Sequence, residues 1–306
     1  MLLPAASLLT GLTLLLIGAD RMVDAAAELA LYYGLSSFFI GVTIVSIGTS
    51  IPEMTTSLFG ALYAAGDLLV GNIIGSETAQ ITLAIGIVAL VAGIEADRRN
   101  VLVYGGAMLL AMIIMILVLD DGVIIRSEGV LMMLAYVAFI HDLYSHEGGA
   151  EVTPEVVEGR ATPQRALPRI LLGIVLVAIG GHLLVTSGVT LARMLGIPEL
   201  LVGLLTGLGT TTPEIAVSSL AAYRGASGIS VGGLLGSNIT DPVFSLGIGA
   251  LVTDVVVTDT AALSLTMGYM LLVSIAVLAL LFYARRIDRR LGAVCLLLYL
   301  PSLALA

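Results

Sequence analysis

The chain has 306 residues, 58% of them hydrophobic and only 11% charged, with a mean hydropathy of +1.10. Charges are too few to cover the exterior of a soluble core of this size, which excludes a water-soluble globular domain and indicates a polytopic membrane protein. All 13 basic residues are arginine, the formal net charge is −9, and the single Cys295 excludes an internal disulfide.

A bilayer crossing needs about 20 mostly apolar residues. Cutting the chain at charges and Gly/Pro clusters predicts ten helices, near residues 3–30, 35–64, 68–93, 100–119, 122–144, 169–195, 198–223, 228–252, 260–283 and 288–305. The runs are too long for barrel strands and lack two-residue alternation. No basic residue precedes the first run and no small-residue cleavage site follows it, so it reads as a retained span. An external N-terminus places Arg98, Arg99, Arg160, Arg165, Arg169, Arg224, Arg285, Arg286, Arg289 and Arg290 on the cytoplasmic side and leaves only Arg126 and Arg193 outside. The positive-inside rule therefore predicts a multi-pass protein of the cell membrane with both termini extracellular.

Two stretches are versions of one another: Gly48-Thr49-Ser50-Ile51-Pro52-Glu53 and Gly209-Thr210-Thr211-Thr212-Pro213-Glu214. At the same offset of 161, Gly71, Gly75, Ser76 and Gln80 correspond to Gly232, Gly236, Ser237 and Asp241, while Gly18, Gly34 and Gly41 correspond to Gly180, Gly196 and Gly203 at 162. Each repeat holds five predicted spans, an odd number, so the second must enter the membrane from the opposite side. The expectation is an all-α membrane protein of ten transmembrane helices in two inverted-topology five-helix repeats. The halves are residues 1–144 and 169–306, joined by a polar cytoplasmic linker over 145–168 that is rich in Gly and Pro.

Spans two and seven are expected to be broken. Pro52 and Pro213 lack an amide hydrogen, which deprives the Gly48 and Gly209 carbonyls of their helical donors, and such carbonyls at membrane depth need a protein-lined cavity. A charge in the hydrocarbon costs roughly 2.5 kcal/mol or more, so an intramembrane acid marks a candidate functional site. Glu53 and Glu214 are two of these at matching places. Hard cations seek carboxylate, carbonyl and hydroxyl oxygen, and these motifs supply all three. Ser76 and Gln80, like Ser237 and Asp241, are four residues apart and share a helix face. The glycines of the same spans read as a close-packing device.

With these residues the chain resembles the calcium/cation antiporter superfamily, and within it the prokaryotic sodium/calcium exchangers, whose repeats carry a Gly-Thr-Ser-x-Pro-Glu break followed by a Gly-Asn-x-x-Gly-Ser helix. The resemblance spans essentially the whole chain. It implies four ion sites in a diamond at mid-membrane, with calcium held by Glu53, Glu214 and the backbone of Thr49 and Thr210. It also implies sodium held with help from Ser50, Thr211, Ser76, Ser237 and the carbonyls of Ser46 and Gly207, and Asp241 matches the family's aspartate. The proton-coupled branch has a Gly-Asn-Ala-x-Glu pattern that is missing here, which favours sodium coupling.

Three residues depart from the pattern. Gln80 replaces an Asn, and its extra methylene is expected to push its amide oxygen into the site or force the helix back. Thr211 replaces a Ser and keeps the hydroxyl. Glu77 is an added acid whose counterpart Asn238 is neutral; it is either a fourth carboxylate of the site or an acid facing a polar crevice. Histidines are few and scattered and no nucleophile motif is present, so no enzyme and no cofactor is expected; Ca2+ and Na+ are transported ions. The expected surroundings are the lipid bilayer, with no nucleic acid and no obligate protein partner. The predicted function is alternating-access exchange of Ca2+ for Na+, with proton coupling, another divalent cation, or a cation channel as the alternatives.

Overall fold

A computed structural model describes residues 2–95, 97–146, 162–195, 209–258 and 260–305. Helix occupies each of the ten expected intervals. The first half comprises α1 (Leu2–Tyr33), α2 (Ser37–Ile40), α3 (Ser46–Thr49), α4 (Ile51–Leu62), α5 (Gly66–Ala79), α6 (Ile85–Val91), α7 (Arg98–Val118) and α8 (Arg126–His146). The second comprises α9 (Pro163–Met194), α10 (Thr212–Tyr223), α11 (Ser227–Thr240), α12 (Leu246–Val252), α13 (Thr260–Ala284), α14 (Arg289–Tyr299) and α15 (Ser302–Leu305). Five helices among the described residues are long and apolar enough to cross a membrane on their own: Leu2–Tyr33, Gly66–Val91, Arg98–Val118, Pro163–Gly188 and Leu263–Ala284. The pair Ser37–Thr49 and Ile51–Leu62 adds a sixth, bent by 45°. The chain is a multi-pass membrane protein.

That bend is the break expected at Pro52. Ser50 sits between α3 and α4 with φ −76° and ψ 5°, outside helical geometry, and Pro52 occupies the first turn of α4, where a missing N–H costs nothing. Pro213 begins α10 in the same way; residues 196–208, where the preceding half of span seven is expected, lie outside the described residues. Two features differ from expectation. Helix α9 starts at Pro163, inside the expected linker, because proline fits a helix's first position. Each of four connections also holds a two-residue strand, β1 (Ile94–Glu95), β2 (Val123–Ile124), β3 (Val255–Val256) and β4 (Arg286–Ile287).

Three π-helical turns interrupt the α-helices, at Gly41–Val45, Gln80–Ala84 and Asp241–Ser245. The last two are repeat counterparts at offset 161. A π turn inserts one residue and re-aims the side chains around it, and such turns concentrate at functional sites. Gln80 and Asp241 each open one.

The halves meet through contacts that exchange with one another. A methyl at Gly180 would lie 2.4 Å from Leu15 N and 2.7 Å from Gly11 O, and one at Gly18 would lie 2.8 Å from Val177 N and 2.9 Å from Gly173 O. Gly11 and Gly18 correspond to Gly173 and Gly180 at offset 162, so the α1–α9 crossing pairs Gly11 with Gly180 and Gly18 with Gly173. Gly86 meets Gly292, and Gly247 meets Gly129; exchanging 86 for 247 and 129 for 292 converts one contact into the other. The strands behave alike: Ile94 pairs with Ile287 and Glu95 with Arg286, while Val255 pairs with Ile124 and Val256 with Val123. Without a strong hydrophobic drive between helices in lipid, small residues that let backbones touch supply the packing.

Helix α11 lies centrally, packed on α2, the first π turn, α3, α7 and α10. Gly232 faces the Phe38 carbonyl and Gly236 faces Val42, the packing role expected of them; a methyl would stand 2.5 Å from Phe38 O at the first and 2.6 Å from Val42 Cα at the second. The segment equivalent to α2 that Gly71 and Gly75 would face lies outside the described residues. Met108, Met112, Met115 and Met132 are buried packing residues. Acids on α1 are neutralised across elements: Arg224 bonds Asp20 and Asp24, and Arg169 bonds Glu28.

Gly236→Ala is expected to cost about 1–3 kcal/mol by overpacking, whereas Gly106→Ala on α7, with nothing within 4 Å of the added methyl, should leave the melting temperature unchanged or raise it. Thermal unfolding of the two detergent-solubilised variants checks the contrast.

Candidate functional site

The bend of α3–α4 and the start of α10 carry their acids inward. Glu53 is fully buried and Glu214 is 1% exposed. Glu53 Oε1 accepts a 2.8 Å hydrogen bond from Ser76 Oγ on α5, while Glu53 Oε2 and both oxygens of Glu214 have no hydrogen-bond partner. Ser76 Oγ also lies 3.4 Å from Thr211 Oγ1, at the N-cap of α10 and three residues before Glu214. One hydroxyl thus bridges the two motifs. Glu214 lies within electrostatic reach of Glu53 and Asp241, and Glu53 within reach of Asp241.

Gln80 and Asp241 meet directly. Gln80 Nε2 donates to Asp241 Oδ2 at 3.0 Å across a separation of 161, so each is bonded to its own repeat counterpart. Two residues related by an exchange can touch in this way only at the axis of that exchange. Gln80 Nε2 also donates to Ser76 Oγ at 3.0 Å, and Ser245 Oγ donates to Asp241 Oδ1 at 3.0 Å.

The orientation of Gln80 reverses the sequence expectation. Its amide nitrogen, not its oxygen, enters the site, while Gln80 Oε1 accepts from Asn238 Nδ2 at 2.8 Å. Asn238 Nδ2 donates in addition to Leu234 O at 2.8 Å. A carbonyl can only accept, so Leu234 O fixes the amide of Asn238, which fixes that of Gln80, which presents its NH2 to the carboxylate. As oriented, Gln80 supports Asp241 and offers no oxygen to an ion beside it.

The hydroxyls are arranged in another way. Ser46 Oγ donates to Val42 O, Thr49 Oγ1 is 3.2 Å from both Val45 O and Ser46 O, and Thr240 Oγ1 donates to Gly236 O at 2.9 Å. A hydroxyl has one proton; once it is given to the helix's own carbonyl, only lone pairs face the interior. Thr49 Oγ1 lies 3.4 Å from Ser237 Oγ and Ser46 Oγ 3.3 Å from Thr240 Oγ1, joining the two halves. Ser50 Oγ is buried without a partner.

The structure therefore buries Ser46, Thr49, Ser50, Glu53, Ser76, Gln80, Thr211, Glu214, Ser237 and Asp241, most of them joined by the hydrogen bonds above. Thr210 is half-buried and donates to Asn72 Oδ1 at 3.4 Å. Glu77 is fully buried, with Asp241 and Glu53 as its charged neighbours. Gly207 lies outside the described residues. No three acids, histidines or cysteines among the described residues cluster closely enough to hold a metal by themselves; the acids are interleaved with hydroxyls and amides. Sequence reasoning missed Ser245, Thr240 and Tyr136, whose hydroxyl lies 3.2 Å from Thr240 Oγ1. For Ser245 a signal existed, its position one turn after Asp241 and beyond Pro242; for Tyr136, an aromatic in an apolar span, there was none.

A family model described as sodium/calcium exchanger protein matches residues 3–141 and 166–306. The chain is 35% identical to the inner membrane protein YrbG of Escherichia coli (strain K12), over 93% of this chain and 90% of that protein. It is 26% identical to the sodium/calcium exchanger MaX1 of Methanosarcina acetivorans, over 97% and 96%. Among solved structures it is similar to the sodium-calcium exchanger NCX_Mj soaked with zero Na+ and Ca2+, with a TM-score of 0.82, 27% identity and 99% of each chain covered. Together with the Pro-Glu motif present in each half, these matches lead to one conclusion: the chain belongs to the sodium/calcium exchanger protein family.

Proposed function

We propose that the protein is a secondary-active antiporter that exchanges Ca2+ for Na+ across the cell membrane by alternating access. The observation that carries this reading is the pair of buried acids Glu53 and Glu214, three of whose four oxygens lack a hydrogen-bond partner in a network of inward-facing hydroxyls from both halves. Unpaired carboxylates in a dry interior are costly by several kcal/mol each. A cation that arrives from water and binds between them removes that cost, and carboxylate, hydroxyl and backbone oxygens are the ligands hard cations take.

In this reading Glu53 and Glu214 hold calcium with the backbone of Thr49 and Thr210. Ser50, Thr211, Ser76, Ser237 and the Ser46 and Gly207 carbonyls complete the positions sodium takes. Asp241, with a donor on each oxygen, lies in support, and Gln80 serves as its donor. Either kind of ion neutralises Glu53 and Glu214 and permits the change between inward- and outward-facing states, whereas an empty, charged site resists it. A ligand shifts an equilibrium only through different affinities for its states, and here that difference resides in charge compensation.

The architecture belongs to the same proposal: ten spans in two inverted five-span halves, 1–144 and 169–306, with both termini outside. The strand pairs support it. With ten spans, β1 and β4 lie in the connections after spans three and nine, and β2 and β3 in those after spans four and eight; an even number of crossings separates each pair, as strands that bond each other require. A cysteine placed at the N-terminus in a Cys295→Ala background should react with a membrane-impermeant thiol reagent in intact cells; labelling only after permeabilisation reverses the orientation.

In vesicles carrying an outward sodium gradient and no proton gradient, the wild type should take up calcium. Glu53→Gln and Glu214→Gln should each reduce that uptake to background, and near-normal flux would remove the assignment. Calcium flux that needs no counter-ion would instead favour a channel. Gln80→Asn separates the amide from both Asp241 and Asn238; uptake should persist while the sodium concentration for half-maximal effect moves about tenfold, the equivalent of about 1.4 kcal/mol. An unchanged sodium response would place Gln80 outside the coupling site.

A further inference from the structure

Strands β1 and β4 bring two connections together, and the joint they form is strongly basic. Residues 92–99 and 284–290 carry Arg98, Arg99, Arg285, Arg286, Arg289 and Arg290 against three acids, Glu95, Asp97 and Asp288. Two of the acids are engaged at helix starts: Asp97 accepts from Arg99 N at 2.9 Å, and Asp288 Oδ1 accepts from Arg290 N and Leu291 N at 3.0 Å each. Glu95 takes Arg286 at 3.3 Å in a pair exposed on both sides, which contributes little. Arg98 lies over the Phe282 ring and gives its Nε to Phe282 O. Among the described residues, the side chains of Arg285, Arg289 and Arg290 enter no ion pair. The mirrored joint of β2 with β3 has the opposite charge: residues 119–128 and 253–260 hold Arg126 against Asp120, Asp121, Glu128, Asp254 and Asp259. The backbone joint itself therefore does not require a basic cluster.

The arginines border a cavity as well as a surface. Arg286, Arg289 and Arg290 line a cleft of about 440 Å³ together with Ala89, Val91 and Ala92 at the end of α6. Asp288 is the one acid of its wall, so three guanidinium groups face one carboxylate. Below the cleft, α6 and α14 pack through Gly86 and Gly292 and expose Leu90, Val91, Val294 and Leu297. We propose that this cleft binds the headgroup of an anionic phospholipid, whose acyl chains lie along α6 and α14. The planar guanidinium fork matches phosphate oxygens two at a time, and a basic pocket between spans at the bilayer surface draws anionic headgroups. The apolar flank is what chooses a lipid over a free phosphate, since only a lipid has chains to lay on it. The inference goes beyond ion exchange and takes from that reading only the ten-span arrangement.

The test is thermal unfolding of the purified full chain in detergent, titrated with phosphatidylglycerol, with phosphatidylcholine of the same acyl chains, or with soluble glycerol phosphate. A ligand that binds the folded state raises its melting temperature. Phosphatidylglycerol should do so saturably and the other two should not. Arg289→Gln with Arg290→Gln, two exposed positions, should weaken the apparent affinity about tenfold or more. Arg99→Gln with Arg165→Gln removes the same charge from exposed positions outside the cleft and should leave it unchanged. Should the first double variant aggregate, Arg286→Gln against Arg99→Gln makes the same comparison. Equal stabilisation by both lipids overturns the proposal, and so does equal loss in the cleft and control variants, which reduces the effect to diffuse attraction. A matching response to glycerol phosphate also overturns it, by making the cleft a site for a free anion. No step involves Ca2+ or Na+, so failure here leaves the exchange reading standing.

Discussion

Among the described residues the interior contains acids but no fixed base to neutralise them. Among the described residues, the arginine ion pairs involve Asp20, Asp24, Glu28 and Glu95, whereas Glu53, Glu77, Glu214 and Asp241 are buried with hydroxyls and amides for company. A buried arginine would stabilise the carboxylates permanently and leave nothing for a diffusing ion to neutralise. On the proposed reading, withholding it keeps the counter-charge exchangeable, and the rest of the chain holds the four acids together.

The backbone contacts between halves do that holding. Gly11 against Gly180 and Gly18 against Gly173, then Gly86 against Gly292 and Gly247 against Gly129, form self-complementary interfaces of the kind found in two-fold dimers, here within one chain. Such an arrangement has an axis, and the residue at 80 and its counterpart at 241 lie on it, bonded to each other. Had both halves kept the acid, two carboxylates would meet there; had both kept the amide, the site would lose a charge. The mixed pair gives the aspartate its donor, so divergence of the two halves at the axis is part of the chemistry.

Much of this was legible in the sequence because repetition multiplies weak signals. One Pro-Glu in an apolar run is ambiguous; two at matching offsets, each after Gly-Thr, predicted both the bend at Ser50 and the inward placement of Glu53 and Glu214. The π turns were not legible. Gln80–Ala84 contains no proline or glycine, and an inserted residue leaves the apolar spacing nearly intact over five positions. The orientation of Gln80 was beyond reach for another reason: it is decided by Leu234 O acting through Asn238, a chain of two amides that no spacing rule connects. The start of α9 was misplaced because Pro163 read as a linker residue, although the first turn of a helix accepts proline readily.

The hydroxyls explain how such a site distinguishes a cation from other polar cargo. Threonine and serine are indifferent helix formers, and inside a helix they tend to return their proton to the carbonyl four residues back. Ser46 and Thr240 do so, and Thr49 lies where it can. In a soluble helix this habit is a minor perturbation. Within a membrane interior it fixes polarity: each hydroxyl, its proton committed, turns lone pairs toward its neighbours. Ser46 and Thr240, facing each other across the interface with both protons given to their own helices, are therefore drawn together best by something positive placed between them. Between Ser46 and Thr240 an anion would meet lone pairs only, and the donors nearby, Gln80 Nε2 and Ser76 Oγ, are already given to Asp241 and Glu53. Selection for positive charge is thus written into where the hydroxyl protons go, before any acid is counted.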